Sequence, residues 1–361
     1  MQKIELILQK RELSFDDIVR MLASSKEEAQ LLFNKAYETM CRERGDKVYL
    51  RGLIEISNFC SKDCYYCGIR KSNNNVKRYI VTDEEVLESA RYAYEHQYGS
   101  VVIQGGELSS PAWTERIEKI IREIKKIGDS SLGITLSLGE QDEETYRRWY
   151  EAGAHRYLLR IETTDRDLFA KIHPADGNHT FERRLEALYL LRKIGYQVGT
   201  GVMIGLPGQS LESLARDLLF MKEFDIDMCG MGPYIEHKET PMYAQRHLLL
   251  PPLERFFLSI KMVAILRLLM PDVNIAATTA METLHPEGRA LAFKAGANVV
   301  MPNITPLAYR ENYLLYENKA GVLDDYEVAR SKIISDIHKA GLKPGLSEWG
   351  DSLHYKRRTG K

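Results

Sequence analysis

A unit of one β-strand followed by one α-helix recurs along this chain, and the alternation restricts its fold more than any other feature. Eight runs read as strands: Gly52–Ser57, Ser100–Gln104, Gly133–Leu138, Arg156–Ile161, Gln197–Ile204, Met228–Tyr234, Asn274–Thr279 and Asn298–Pro302. Several are continuously apolar, as parallel strands covered by helices on both faces are. Eight such units predict an α/β fold, a complete (β/α)8 barrel of the TIM type, whereas six or fewer would leave an open sheet.

The segments between the strands carry apolar residues at three- and four-residue spacing, which predicts helices. Thr82 and Glu85 form a capping box before the helix predicted over Asp83–His96. The other predicted helices are Phe15–Leu22, Lys26–Arg44, Glu115–Ile127, Asp142–Ala152, Phe181–Ile194, Ser210–Phe224, Leu253–Met270, Pro286–Lys294 and Asp325–Ala340. We therefore expect an N-terminal helical extension over residues 1–48, a barrel over 49–305 and a C-terminal extension over 306–361 that closes the barrel.

Composition and charge are those of an ordinary globular protein. The chain is 44% hydrophobic and 28% charged, with a formal net charge of −1. This balance favours neither nucleic acid nor a membrane surface as a partner, since both favour a basic excess. The first residues mix charge into every turn, and no stretch approaches the roughly 18 apolar residues of a membrane span. We expect a cytoplasmic protein.

Three of the five cysteines fall within eight residues, directly after the first predicted strand. They are Cys60, Cys64 and Cys67, in a C-x3-C-x2-C spacing. A closed zinc site uses four ligands, and no fourth cysteine or histidine is close by. Three thiolates can instead bind three irons of a [4Fe–4S] cube and leave the fourth iron open. Chance clustering or zinc binding is the alternative, and Cys41 and Cys229 are interpreted as buried apolar residues.

With the aromatic Tyr66 before the third cysteine, this spacing resembles the signature of the radical S-adenosylmethionine (SAM) superfamily. In that family SAM binds the open iron, and one electron cleaves it to methionine and a 5′-deoxyadenosyl radical. The resemblance implies that Cys60, Cys64 and Cys67 are the catalytic cluster ligands. It also implies a set of SAM contacts, which comprises Tyr66, Gln104, Gly105, Gly106, Glu107, Thr135, Ser137, Arg160, Glu162, Arg184, Met203 and Met228.

Three of these segments have particular roles in the family. Gln104–Glu107 resembles the GGE motif that receives the SAM amino group, although a plain turn would also end a strand this way. The resemblance implies that Glu162 holds the ribose or the amino group and that Arg184 holds the SAM carboxylate, to which a guanidinium fork is suited. Thr135 and Ser137 could equally be barrel lining.

Longer segments resemble the HydE family of [FeFe]-hydrogenase maturases, from about residue 48 to about 316. Examples are RGLIEISNFCSKDCYYCGIRKSNNNVKRY, IGLPGQS and GANVVMPNITP. The resemblance implies one [4Fe–4S] cluster, SAM, an external one-electron reductant of the ferredoxin or flavodoxin type, and HydG and HydF as candidate partners. The implied substrate is an iron–carbonyl–cyanide–cysteine synthon. The alternatives are a biotin-synthase-like radical enzyme acting on an amino-acid-derived small molecule, and a non-enzymatic iron–sulfur carrier or zinc scaffold.

Further residues are expected to face the barrel cavity, and all of them except His237 and Asn303 are candidate substrate contacts. They are Tyr234, His237, Thr278, Thr279, Met301, Asn303, Tyr309 and Arg310. The paired threonines could hydrogen-bond an anionic substrate or simply line the barrel, and Tyr309 and Arg310 could close the cavity or serve packing. The chain departs from the family where Leu108 replaces an acidic residue. It has no cysteine after Cys229, which predicts a single cluster.

Overall fold

The computed structural model describes residues 3–360, and its centre is a barrel of eight parallel strands. In chain order, β1 to β8 are Lys47–Ser57, Ser100–Gly105, Gly133–Ser137, Arg156–Leu158, Gln197–Thr200, Met228–Cys229, Asn274–Ile275 and Val299–Val300. They pair in parallel in the order β8-β1-β2-β3-β4-β5-β6-β7. A parallel bridge between Ala276 and Val299 joins β7 to β8, so the sheet closes and the predicted complete barrel is confirmed.

Several predicted strands are shorter than expected, and among them β4 ends at Leu158 instead of Ile161 and β8 at Val300 instead of Pro302. β5 and β6 are each interrupted, and their continuations Met203–Ile204 and Gly232–Pro233 pair with each other. The strand expected to reach Thr279 ends at Ile275, and Thr279 begins a helix instead. The cause is a turn in which the Thr278 carbonyl accepts a hydrogen bond from the Met281 amide at 3.1 Å.

Helices cover the outside of the barrel and follow the predicted pattern. The Thr82 side chain accepts from the Glu85 amide, and the Glu85 carboxylate accepts from the Thr82 amide, so the predicted capping box is present. The described helices are Ile4–Ile7, Phe15–Leu22, Lys26–Arg44, Asp83–Glu95, Pro111–Lys126, Glu143–Ala152, Arg166–Ile172, Phe181–Ile194, Leu211–Phe224, Pro252–Leu269, Thr279–Leu284, Gly288–Lys294, Leu307–Arg310, Tyr326–Lys339 and Leu353–Thr359, with a 3-10 helix over Pro241–Leu248.

The chain termini add to the barrel at both of its ends. Helices Phe15–Leu22 and Lys26–Arg44 pack outside it against Pro252–Leu269. The carboxyl end of the barrel is covered by residues 313–319. At the opposite end, Lys343–Gly345 pairs with the start of β1, and the next residues cross the barrel base. The boundaries at residues 48 and 305 stay a prediction. Within residues 3–360, no helix has the length and apolar character needed to cross a membrane.

Candidate active site

A cavity of about 330 Å³ opens at the carboxyl ends of the barrel strands, within the size range of small-ligand sites. Parallel strands deliver their terminal side chains to this one end, which is why active sites of such barrels are found here. Most of the residues singled out from the sequence line it: Cys60, Cys64, Tyr66, Cys67, Gln104, Gly105, Gly106, Glu107, Ser137, Arg160, Glu162, Arg184, Met203, Tyr234, Thr278, Thr279 and Met301.

The three cysteines lie on the loop that leaves β1, and this loop packs closely on the end of β2. The Glu107 amide donates to Cys60 Sγ at 3.3 Å, and the Ser61 amide donates to the Glu107 carbonyl at 2.8 Å. A Cβ atom on Gly106 would lie 2.2 Å from the Phe59 carbonyl oxygen. Only glycine therefore fits at residue 106 without moving the cysteine loop.

The chemistry of the three thiols fits an iron–sulfur cluster. All three face one cavity, and burial raises the pKa of the Cys64 thiol to about 12. Bound iron reverses that preference, because a cation stabilises the thiolate. Within residues 3–360, no group of three or more His, Cys, Asp or Glu side chains is arranged to hold one single metal ion. Three thiols around a cavity are the donor set for a cube whose fourth iron stays open.

A buried ionic network lies beside the cysteine loop. Lys62 Nζ lies 2.8 Å from the Glu140 carboxylate and 3.3 Å from the Glu107 carboxylate. Arg184 Nε lies 2.5 Å from the other Glu140 oxygen. Arg184 also donates to the Arg160 carbonyl. The network thus joins the cysteine loop, the ends of β2 and β3, and helix Phe181–Ile194.

The charges of this network shift the pKa values of its carboxyls in opposite directions. Burial, and then the neighbouring Glu140 carboxylate, raise the pKa of Glu107. Burial acts the same way on Glu140, but Arg184 and Lys62 outweigh it and lower the pKa of Glu140. Glu140 therefore carries the negative charge that fixes Arg184 at the cavity wall.

Arg160 and Glu162 line the cavity and form an ion pair with each other. Arg160 Nη2 lies 3.0 Å from Glu162 Oε2, yet neither atom has a hydrogen bond of good geometry to any residue in 3–360, and both are buried. Glu162 also has a φ of 67°, in the left-handed region that is costly for a residue with a side chain. Strained backbone and buried polar atoms without a well-aligned hydrogen bond mark places where a ligand completes the site.

The far wall and the roof of the cavity complete its lining. The buried Tyr234 hydroxyl has no hydrogen-bond partner within residues 3–360. The roof is formed by Tyr313, Leu315 and Tyr316 of the segment after β8. Lys319 of the same segment forms a buried ion pair with Glu55 of β1. The segment after β8 therefore both covers the cavity and contributes a charged side chain, Lys319, to its wall.

Two residues expected at the SAM site lie beneath the cavity instead. Thr135 Oγ1 accepts a hydrogen bond from Arg156 Nε at 3.0 Å, and Met228 Sδ accepts one from Arg51 at 3.1 Å. Both residues line a smaller space within the barrel. Their side chains point into the barrel from the middle of β3 and the start of β6, further from the carboxyl ends of the strands than the cysteines.

Four residues expected to face the cavity also lie outside its lining. The Tyr309 hydroxyl donates to the Glu85 carboxylate on the outer helix, so Tyr309 does not close the cavity. Arg310 is buried and donates to the carbonyls of Thr305 and Asp324, which is a packing role. The remaining two are His237, which packs against Gly68, and Asn303, which donates to Glu55.

Glu55, Lys62, Tyr313 and Lys319 line the cavity but are not among the residues predicted from the sequence. The first two stand out by their sequence position, and the other two do not. Glu55 is a charged residue inside the apolar run GLIEIS, and a charge buried in a strand needs a partner. Lys62 lies between two of the cysteines. Tyr313 and Lys319 lie in a loop without periodicity, and only the tertiary structure brings them to the cavity.

Comparison with known proteins agrees with this geometry. The model of the Radical SAM superfamily matches residues 54–221. The [FeFe] hydrogenase maturase subunit HydE of Thermotoga maritima is 44% identical over 322 residues, which are 89% of this chain and 88% of the relative. The 3-methylornithine synthase of Methanosarcina acetivorans is 27% identical over 94% of this chain and 93% of its own length.

Two solved structures share the fold. Methylornithine synthase (PylB) superimposes with a TM-score of 0.78 at 24% identity, covering 96% of this chain and 98% of that one. The FeFe-hydrogenase maturase HydG from Carboxydothermus hydrogenoformans superimposes with a TM-score of 0.77 at 20% identity, covering 98% and 81%. With the cysteine loop and the cavity it faces, the HydE similarity over most of both chains establishes that this chain is a radical SAM enzyme of the HydE family.

Proposed function

We propose that this enzyme holds one [4Fe–4S] cluster and acts as the HydE maturase in assembly of the [FeFe]-hydrogenase active site. Its substrate would be a small iron–carbonyl–cyanide–cysteine complex made by HydG. The observation that carries the proposal is the shared cavity, which the three cysteines and the Arg160–Glu162 ion pair all line.

The cofactors and the protein divide the chemistry between them. When bound, the reduced cluster and SAM supply a 5′-deoxyadenosyl radical. Cys60, Cys64 and Cys67 would hold the cluster, and Arg184, fixed by Glu140, would hold the SAM carboxylate. Glu162 would accept hydrogen bonds from the ribose or the amino group. The protein's part is then to orient SAM and keep water from the radical.

The opposite wall suits an anionic substrate that carries hydrogen-bond acceptors. Thr279 and Tyr234 offer hydroxyl donors, and the Tyr234 hydroxyl is buried without a partner among the described residues. The Thr278 hydroxyl donates to the Met231 carbonyl at 3.4 Å. Cyanide nitrogen and a cysteine carboxylate are acceptors, and the Arg160 guanidinium, paired with Glu162, would offer further N–H donors beside them. Tyr313 and Tyr316 form a roof that would enclose the complex and exclude solvent.

The proposed partners follow from the same assignment. A one-electron donor of the ferredoxin or flavodoxin type would reduce the cluster. HydG would supply the substrate and HydF would receive the product.

The test is anaerobic reconstitution with iron and sulfide, reduction, addition of SAM, and measurement of 5′-deoxyadenosine with and without the HydG product. We expect formation of 5′-deoxyadenosine that increases with that substrate and is lost in Cys67→Ser. Cys229→Ser is the matched control, because this buried cysteine lies outside the cavity lining and contacts Met221 instead. A reducible cluster that never cleaves SAM under either condition would refute the proposal.

Cleavage that responds to an amino-acid-derived compound and not to the HydG product would keep the radical chemistry and refute the HydE role. Maturation of an [FeFe]-hydrogenase in vitro, with this protein replacing HydE, is the second readout. Failure there with an active, SAM-cleaving preparation would have the same meaning.

A further inference from the structure

The guanidinium group of Arg78 lies at the neck of the cysteine loop, where the chain leaves β1 and returns to the helix at Asp83–Glu95. Arg78 Nη1 donates to the carbonyl of Asn58, two residues before Cys60, at 2.5 Å. The same nitrogen donates to the carbonyl of Ile69, two residues after Cys67, at 2.8 Å. One side chain thus bonds to the backbone on both sides of the cysteine segment.

The second terminal nitrogen of Arg78 donates hydrogen bonds to carbonyls further along the loop, after Cys67. Nη2 donates to the carbonyls of Arg70 at 2.6 Å, Asn73 at 3.1 Å and Lys71 at 3.4 Å. The planar fork of a guanidinium can satisfy several carbonyls at once, which the single ammonium of lysine cannot do with the same geometry. These contacts fix the loop neck through one side chain.

All of these partners are neutral carbonyls. No carboxylate within residues 3–360 forms an ion pair with Arg78, in contrast to the paired Lys62 and Arg184. The positive charge of Arg78 lies near Cys60, because its Nη1 contacts the Asn58 carbonyl two residues before that cysteine. The neck therefore places an uncompensated cation close to the first cysteine.

We propose that Arg78 is a positioning residue for the cluster, which sets the spacing of Cys60 and Cys67 before metal binds and holds a positive charge beside the bound cluster. The inference rests on the proposed function in so far as the loop holds an iron–sulfur cluster. Reduction adds negative charge to a cluster that its thiolates already make anionic, so a fixed cation nearby favours the reduced state. Arg78 therefore raises the reduction potential as well as ordering the loop.

The test compares three variants of the full chain, with circular dichroism to establish that each is folded. Arg78→Gln removes the charge and most of the hydrogen bonds, and Arg78→Lys keeps the charge but loses the fork. Arg192→Gln is the matched control: this half-buried guanidinium also bonds a backbone carbonyl, that of Asp225, at the opposite end of the barrel.

The first readout is hydrogen exchange in the metal-free protein, which does not depend on activity. We expect amides of residues 58–78 to exchange about tenfold faster or more in both Arg78 variants, and no change there in the Arg192 control. The second readout is the midpoint of a reductive titration of the reconstituted cluster. It should be more negative in Arg78→Gln and near the wild-type value in Arg78→Lys.

Unchanged exchange over residues 58–78 in Arg78→Gln would overturn the positioning role. Equal midpoints in wild type and Arg78→Gln would overturn the electrostatic role. If the wild-type protein bound no [4Fe–4S] cluster, the proposed function would fail, while the exchange measurement would still decide whether Arg78 orders the loop.

Discussion

Glu140 is the residue on which the buried ionic network of the site depends. Its side chain is 2% exposed and bonds Arg184 at 2.5 Å and Lys62 at 2.8 Å. Glu140→Gln keeps the shape of the side chain and removes its charge. Arg184 then stays buried without a carboxylate in ion-pair contact, whereas Lys62 still forms its ion pair with Glu107 at 3.3 Å.

The size of the effect follows from these contacts. Breaking a buried ion pair by removing one partner costs about 3–5 kcal/mol. The lower end applies, because the new amide oxygen still accepts a hydrogen bond and Lys62 keeps one partner, so we expect a loss of about 3 kcal/mol. Unfolding entropy is about 2.1 cal/mol/K per residue. Over 361 residues, the melting temperature should therefore fall by about 4 °C.

The assay is thermal unfolding of the metal-free protein at pH 7, followed by circular dichroism or calorimetry. Glu118→Gln is the matched control, because Glu118 also bonds two arginines, Arg122 and Arg148, but on the surface. We expect a shift of about 1 °C or less for Glu118→Gln, since exposed pairs contribute little. A Glu140→Gln variant that melts within 1 °C of wild type would refute the reasoning.

The pH dependence gives an independent check on the same variant. The pKa of Glu140 is lowered in the folded protein, so its stabilisation is present above the ordinary value of 4.5 and is lost as pH falls through the folded value. The difference in melting temperature between wild type and Glu140→Gln should therefore shrink below pH 4.5. A difference that grows as the solution is acidified would contradict the assignment of charge to Glu140.

Three further predictions concern other parts of the molecule. Gly106→Ala places a Cβ 2.2 Å from the Phe59 carbonyl oxygen, so iron bound per chain after reconstitution should fall; full occupancy would be inconsistent with the tight loop. Tyr234→Phe removes a buried hydroxyl that has no hydrogen-bond partner among the described residues, so the melting temperature should stay the same or rise by about 1 °C. Substrate-dependent SAM cleavage should fall. A clear drop in melting temperature would mean that the Tyr234 hydroxyl has a hydrogen-bond partner in the folded protein. Hydrogen bonding to Asp272 and a second carboxylate raises the pKa of His354 in the folded protein. The stabilisation by protonated His354 is therefore full below pH 6.5 and is lost as pH rises through the pKa of the folded state. Melting temperatures of wild type and His354→Gln should converge towards pH 9, and a difference that stays constant with pH would exclude protonated His354 as its cause.

The sequence by itself determined the repeating units of the fold and the cluster loop. The bounds Phe181–Ile194 and the capping box at Thr82 follow from helix periodicity and capping, which depend on residues a few positions apart. The C-x3-C-x2-C spacing is equally local, since its three cysteines lie within eight residues. The resemblance to the radical SAM superfamily predicts Arg160 and Glu162 as SAM contacts, and their place after β4 agrees with the rule that parallel strands end at one face of a barrel.

The tertiary structure alone decided which side chains meet across the site. Glu55 and Lys319 pair although 264 residues separate them, and the Glu140 carboxylate meets Lys62 from 78 residues away. Thr135 and Met228 lie on predicted barrel strands, yet their depth in the barrel removes them from the cavity. Tyr309 faces Glu85 on the outer helix, although its position after β8 suggested the cavity. Periodicity reports which face of an element is buried, but the depth and partner of a side chain depend on how distant elements pack, and no local pattern encodes that.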